Sequence, residues 1–259
     1  MRPDALTAWL DAYRRSAKDA LAQARRDGFA AVQPNVAAGE LSPSELSASG
    51  RRHLAKLLRD LGLHMPSLAL EFPGAGLSDP NFADQRLEQF RETIRLCTDL
   101  GVRSAEISLG GVADPKTANI ARELLEIAAG EADRSGVEIA VRPVGGEFAE
   151  LQAAVESLRA PGLGLALHTD QLAPGERPAV EAARLVRVAA FRDGRPRAGS
   201  FEETPLGEGT IDLPGTLAAL EAGEFHGPIV VRREGGRAAV DGLAADRNYI
   251  AALLGGARR

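Results

Sequence analysis

The chain has 259 residues, 44% of them hydrophobic and 26% charged, and a formal net charge of -5. That acidic balance offers no basic face to nucleic acid or to an anionic membrane, and a single cysteine, Cys97, excludes an intrachain disulfide or a cysteine-rich zinc knot. The N-terminal charges Arg2 and Asp4 precede no apolar signal core, and no segment is long enough to span a bilayer, so cytoplasmic residence is expected.

The first candidate strand, Leu6 to Leu10, is weak or irregular. A helix is predicted over Ser16 to Asp27, and Gly28 hands it to the apolar run FAAVQ. The same handover recurs with helix Ser49 to Leu61, Gly62 and LHMPSLAL, then with Asp84 to Leu100, Gly101 and VRSAEISL. It continues with Thr117 to Ser135, Gly136 and VEIAV, and with Glu147 to Leu158, Gly162 and LGLAL. The run LVRVAAF, from Leu185 to Phe191, lacks the leading glycine; Pro214 to Ala222, Gly227, PIVV and a last helix, Ala239 to Leu254, close the series.

Glycine just past a helix tolerates the left-handed conformation that ends it, and an apolar run between helices reads as a strand buried on both faces. Strict alternation of the two argues for α/β architecture with a parallel sheet. The length matches the roughly 250 residues of a (β/α)8 TIM barrel, and with no linker or low-complexity tract residues 1–259 are expected to form one domain. Cys97 lies at helical spacing with Phe90, Ile94 and Leu100, which reads as a buried small hydrophobe. The polar stretches Ala37 to Ser44, Glu71 to Phe82 and Asp193 to Gly209 all follow strands, where such barrels build their active face.

The segment LVRVAAFRDGRPRAGSFEETPLGEGTIDLPGTLAALEAGEFHGPIVVRRE resembles the C-terminal third of the xylose isomerase-like barrels, the sugar phosphate isomerases/epimerases. PLGEGTID, Pro205 to Asp212, is its most specific part, and DGFAAVQPN, LLRDLGLHMPSL and CTDLGVRSAEISLGG fit the family's spacing. The resemblance implies a divalent metal held by a Glu, Asp, His, Glu set at strand ends, polarising a sugar carbonyl or hydroxyl. Position by position, this chain has Arg142 for the glutamate of strand five and His168 for the aspartate of strand six. Ala190 stands for the histidine of His-x-Lys-Asp, with Arg192 and Asp193 matched after it, and Arg232 for the last glutamate.

A guanidinium neither deprotonates nor coordinates, so the expectation is a degenerate metal site and no cofactor, with Mn, Mg or Zn at a relocated site as the alternative. Arg142 and Arg232 have two readings: internal salt bridges with Glu234, Asp170 or Glu106, or capture of a substrate carboxylate or phosphate. Arg192, Gln33, Asn35, Glu71 and Ser108 are further candidates for substrate binding, and His168, Asp170 and Glu234 for acid–base catalysis. The double glycines Gly110-Gly111, Gly145-Gly146 and Gly235-Gly236 are either tight turns or anion-binding loops, the last flanked by Arg233 and Arg237. Trp9 fits core packing or a pocket wall.

The expected partner is a small, oxygen-rich, anionic carbohydrate-type ligand, with no nucleic acid and no membrane, and a homo-oligomer stays open. Two functions compete: an isomerase or epimerase of a sugar, sugar acid or sugar phosphate, and a non-catalytic barrel that binds a metabolite or a protein. Only one of the four histidines, His168, stands at a strand's C-terminal end, which argues against the trinuclear zinc site of the apurinic endonuclease cousins.

Overall fold

Residues buried on both faces of a sheet need a continuous apolar pattern, and each run noted above becomes a parallel strand. In the computed structural model, which describes residues 6–145, 148–197, 200–234 and 236–256, these are β1 (Leu6–Trp9), β2 (Ala31–Gln33), β3 (Ser67–Leu70), β4 (Ser104–Leu109), β5 (Glu138–Pro143), β6 (Leu163–His168) and β7 (Val186–Phe191). A hairpin, β8 (Asp193–Arg197) and β9 (Ser200–Thr204), precedes the eighth parallel strand, β10 (Ile229–Val231). The helices are α1 (Ala17–Arg26), α2 (Ala48–Leu61), α3 (Ala83–Leu100), α4 (Ala118–Ser135), α5 (Phe148–Leu158), α6 (Val180–Leu185), α7 (Leu213–Ala222) and α8 (Gly236–Gly256).

The parallel strands form one eight-stranded sheet in the order β2-β1-β10-β7-β6-β5-β4-β3, and isolated bridges pair Ala31 with His64 and Asn35 with Ala69. The fold is a (β/α)8 TIM barrel. No helix among the described residues is long and apolar enough to cross a membrane. The chain divides into two compact units, the first made of Met1–Gln33, Leu57–Met65 and Leu167–Arg259, the second of Pro34–Lys56 and Pro66–Ala166.

In the first unit β1 pairs with β10 through Leu6 and Ile229 and with β2 through Thr7 and Ala31. The weak first strand is therefore regular. Leu6, Ala8 and Trp9 are buried, and burial between two neighbours supplies what intrinsic strand propensity does not.

The turn Pro205 to Asp212 closes around Asp193, whose carboxylate is 1% exposed. Its Oδ1 accepts from the N–H groups of Gly194 and Ile211 at 2.8 and 3.3 Å, and its Oδ2 from those of Gly207 and Gly209 at 2.9 and 3.0 Å. Glycine is required at Gly209, where a Cβ would stand 2.0 Å from Asp193 Oδ1. Helix α8 is tied to the end of β10 by Arg233, which donates to both oxygens of buried Asp246 at 2.5 and 2.9 Å.

In the second unit β3 to β6 run in continuous register, Ala69 beside Glu106, Glu106 beside Ala140 and Val141 beside Leu165. Phe90, Ile94 and Cys97 form the buried stripe of α3, and burial pushes the Cys97 thiol up to about 12, which leaves it inert.

Several expectations need correction. Gly101 and Gly136 are left-handed helix caps, but Gly162 and Gly227 are not. After α5 and α7 the left-handed residues are Arg159 and Glu224. Gly227 is needed for close approach, because a Cβ there would lie 1.9 Å from the Arg187 carbonyl oxygen. Part of the stretch Asp193 to Gly209 is hairpin rather than loop. Six-residue α6 is too short to show a helical period, and β3 begins at Ser67 because Pro66 has no N–H for the ladder.

Candidate functional site

Charged side chains gather at strand ends in each unit. In the second, alternation and register put Glu106, Ser108 and Arg142 on one face, since Ser108 pairs with Arg142 and Glu106 with Ala140. Glu71 directly follows β3. The Arg142 guanidinium stands 3.6 Å from the Glu71 carboxylate and 3.7 Å from that of Glu106. Both separations are ion pairs longer than a hydrogen bond, and the buried Nε of Arg142 has no hydrogen-bond acceptor among the described residues. Glu106 is fully buried, whereas the Glu71 and Arg142 side chains keep 12% and 20% exposure.

Asn35 and Ser108 brace this group from behind. The Asn35 side chain accepts from the Glu71 N–H at 3.1 Å and donates to the Glu71 carbonyl at 3.4 Å, and Ser108 Oγ accepts from the Phe72 N–H at 3.4 Å. Both were candidates for hydroxyl binding; their polar atoms hold the backbone that carries Glu71. Arg86 of α3, which the sequence reading missed, is buried between the rings of Phe72 and Phe82, 4.9 and 5.0 Å from their centroids, and donates to the Gly76 carbonyl. It fixes the loop from β3 to α3.

In the first unit Arg192, just past β7, gathers three carboxylates. Its Nη1 lies 2.8 Å from Asp170 and 3.3 Å from Glu234, and its Nε donates to Glu203 at 2.7 Å. Arg232 is buried with its guanidinium 4.0 Å from the centroid of the Trp9 ring, and donates through Nε and Nη2 to one oxygen of Glu234 at 2.9 and 2.5 Å. Trp9 thus offers its face to a guanidinium, a cation–π contact. Arg14 adds a bond of 2.9 Å to the Glu234 carbonyl. His168 ends β6 with 3% exposure, Gln33 ends β2 fully buried, and Ala190 is buried in β7.

The arginines at the strand ends form ion pairs, Arg232 with Glu234, and Arg142 with Glu106 and Glu71. Of the double glycines, Gly146 and Gly235 lie outside the described residues, as does the Arg237 side chain. Arg233, expected to flank an anion loop, is engaged by Asp246.

Burial pushes the Glu234 carboxyl up, but Arg232 and Arg192, with His168 acting in the same sense, outweigh it and hold Glu234 below the ordinary carboxylate range. A group so depressed adds stability above its unfolded value and loses it as pH falls through the folded one. Acid unfolding of Glu234→Gln is therefore expected to show a smaller loss of stability between pH 7 and pH 3 than the parent; equal losses in a urea series at both pH values would refute this.

The structural comparisons bear on the same architecture. A xylose isomerase domain protein from Planctomyces limnophilus superposes with a TM-score of 0.77 at 17% identity, covering 96% of this chain and 95% of that one. One from Alicyclobacillus acidocaldarius gives 0.76 at 19% identity, covering 98% and 99%. D-allulose 3-epimerase from Methylomonas sp., in complex with D-allulose, gives 0.73 at 17%, covering 95% and 96%. Identities this low carry the fold alone. No curated protein matches the sequence. The family description "Xylose isomerase-like TIM barrel" matches residues 21–253. The chain belongs to the xylose isomerase-like TIM barrel family. Within a xylose isomerase-like barrel, the arginines at the ends of β5 and β10 are the feature its function must accommodate.

Proposed function

We propose that this chain is a sugar isomerase/epimerase-like protein that binds a small, oxygen-rich carbohydrate-type ligand at the ends of β3 to β5, and that it has lost the family metal site. The observation that carries this reading is Arg142, whose guanidinium stands within 3.7 Å of the carboxylates of both Glu71 and Glu106. Of the positions where the family carries its metal ligands, arginines occupy two and buried Ala190 a third. A dication about 4 Å from a guanidinium would meet a repulsion of roughly 8 kcal/mol at an effective dielectric of about 20.

Two carboxylates face that one guanidinium. A sugar phosphate would bring a near-dianion against Glu71 and Glu106, so the balance favours a neutral sugar or a singly charged sugar acid. A guanidinium and carboxylates side by side suit hydroxyl groups, which both donate and accept.

The second reading, a non-catalytic binding barrel, is favoured by the first unit. There the proposed acid–base groups Asp170 and Glu234 are both held by Arg192. The net charge of -5 supports a small-molecule partner rather than nucleic acid or an anionic membrane.

Elemental analysis of protein purified without chelator, joined to melting curves with neutral sugars, sugar acids and sugar phosphates, tests the proposal. The expected outcome is less than stoichiometric metal and a rise in melting temperature with neutral sugars or sugar acids. Arg142→Glu is expected to create divalent-metal affinity, measured by calorimetry. Stoichiometric Mn, Mg or Zn in the parent protein would sink the metal-free reading.

A further inference from the structure

Two guanidiniums of the first unit meet one carboxylate. Arg232 lies against the face of Trp9, 4.0 Å from the ring centroid, and Arg192 against that of Phe201 at 5.0 Å. Stacking engages the flat face of a guanidinium and leaves its in-plane N–H groups for an acceptor. Arg232 donates through Nε and Nη2 to Glu234 Oε1 at 2.9 and 2.5 Å, and Arg192 Nη1 stands 3.3 Å from Glu234 Oε2. Each oxygen of the carboxylate therefore has an arginine of its own, the arrangement that suits a carboxylate-bearing ligand.

Glu234 is fixed by its backbone rather than by its side chain. Its N–H donates to the two oxygens of Glu203 at 3.0 and 3.2 Å, and its carbonyl accepts from Arg14 at 2.9 Å. The side chain keeps 42% exposure, against 6% for Arg232 and 17% for Arg192. The carboxylate can thus leave by turning about its own bonds while the chain that carries it stays in place. Asp170 and Glu203 remain with Arg192 at 2.8 and 2.7 Å.

Charge then selects the ligand. With His168 neutral, Arg14, Arg192 and Arg232 balance Asp170, Glu203 and Glu234. Turning Glu234 out leaves a single positive charge, which one carboxylate neutralises; a dianion would overshoot beside Asp170 and Glu203.

We propose that Arg232 and Arg192 form a binding site for a small molecule bearing one carboxylate, and that Glu234 fills this site until such a ligand displaces it. The site lies wholly within the first unit and is separate from the one proposed at the ends of β3 to β5. Glu234 competes with the ligand, so the apparent affinity falls by the fraction of molecules in which its carboxylate is turned out.

Trp9, the chain's one tryptophan, reports on Arg232 through its fluorescence. The full-length protein is titrated with D-gluconate and, for comparison, with D-glucitol, which has the hydroxyl groups without the carboxylate; calorimetry gives the affinities independently. Gluconate is expected to bind the parent and to change the Trp9 emission. Glu234→Ala, which vacates the site, is expected to bind it about 10-fold or more tightly than the parent. Glu234→Gln removes the charge alone, serves if the alanine variant fails to fold, and is expected to shift the affinity in the same direction. Arg232→Met is expected to abolish binding, and Arg232→Lys, which keeps the charge if the methionine variant fails to fold, to lose most of it with the planar fork. Arg177→Gln, at an exposed pair with Asp212, is the unchanged control.

Glucitol binding as well as gluconate, equal gluconate affinity in the parent and the Glu234 variants, or binding that survives loss of Arg232 would overturn the proposal. So would gluconate binding in Glu234→Ala but not in the parent, which would make Glu234 a permanent partner of the two arginines, and so would no binding in either.

Discussion

Asp193→Ala is expected to lower the melting temperature by roughly 10 °C or more, because it strips four N–H groups of their acceptor. Asp193 follows β7 with 1% exposure, and its oxygens gather the N–H groups of Gly194, Gly207, Gly209 and Ile211. Leaving such a group unsatisfied costs about 1–3 kcal/mol each before relaxation. Even the lower end gives about 4 kcal/mol in total, and in a chain of this size each kcal/mol moves the midpoint by about 2–4 °C. Asp193→Asn keeps the shape but aims an amide NH2 at N–H groups, so it is expected to recover only part of the loss. Gly209→Ala approaches the same cage from the other side, through a Cβ 2.0 Å from Asp193 Oδ1. Calorimetric melts of the three variants test this, and an Asp193→Ala midpoint close to the parent's would show that water satisfies the turn.

That cage explains why the turn PLGEGTID is a strong family signature, and what kind of signature it is. Read as sequence, the acidic residue after the seventh strand and the Gly-x-Gly turn lie in a stretch, Asp193 to Gly209, of the kind in which such barrels build their active face. In three dimensions one is the anchor of the other. Their spacing was legible because it is set by backbone geometry, which leaves no freedom at Gly209. The charged residues are a different case. Register follows from apolar runs, so the strand-end positions of Arg142, His168 and Arg232 could be read directly. Glu106 and Glu234 were among the partners the sequence offered for Arg142 and Arg232, but Glu203 was not offered for Arg192, because it comes from the far strand of a hairpin that read as loop. Arg86 was hidden for a similar reason: its partners, Phe72, Phe82 and Gly76, come from a loop whose path no periodicity records. Glu106 left a usable signal, since a carboxylate inside the run SAEISL must be buried beside a cation. Asn35 and Ser108 show the limit most clearly, because polar residues at strand ends suit a ligand and a bracing role equally until the backbone they hold is seen.

The buried pair between Arg233 and Asp246 yields the second large effect. Arg233 Nε and Nη2 meet Asp246 at 2.5 and 2.9 Å, with side chains 7% and 2% exposed. Burial pushes the Arg233 guanidinium down, but the hydrogen bond and charge of Asp246 outweigh it and hold it above its ordinary value, so the guanidinium keeps its charge. Removing one partner strands a charge in a low-dielectric setting, so Arg233→Met and Asp246→Leu are each expected to cost about 3–5 kcal/mol in urea unfolding. The double variant removes both charges together and is expected to lose less than the two single losses combined. It does not return to the parent, because the Leu206 N–H loses its acceptor, Asp246 Oδ1, at 3.0 Å. A double-mutant cycle measures the coupling directly. Strong coupling means that Arg233 is committed to holding α8 against the end of β10, and that its neighbour Arg232 faces Glu234 and Trp9 without help from it. Strictly additive losses would leave Arg233 available to a ligand, and the loop after β10 would regain its claim as an anion site.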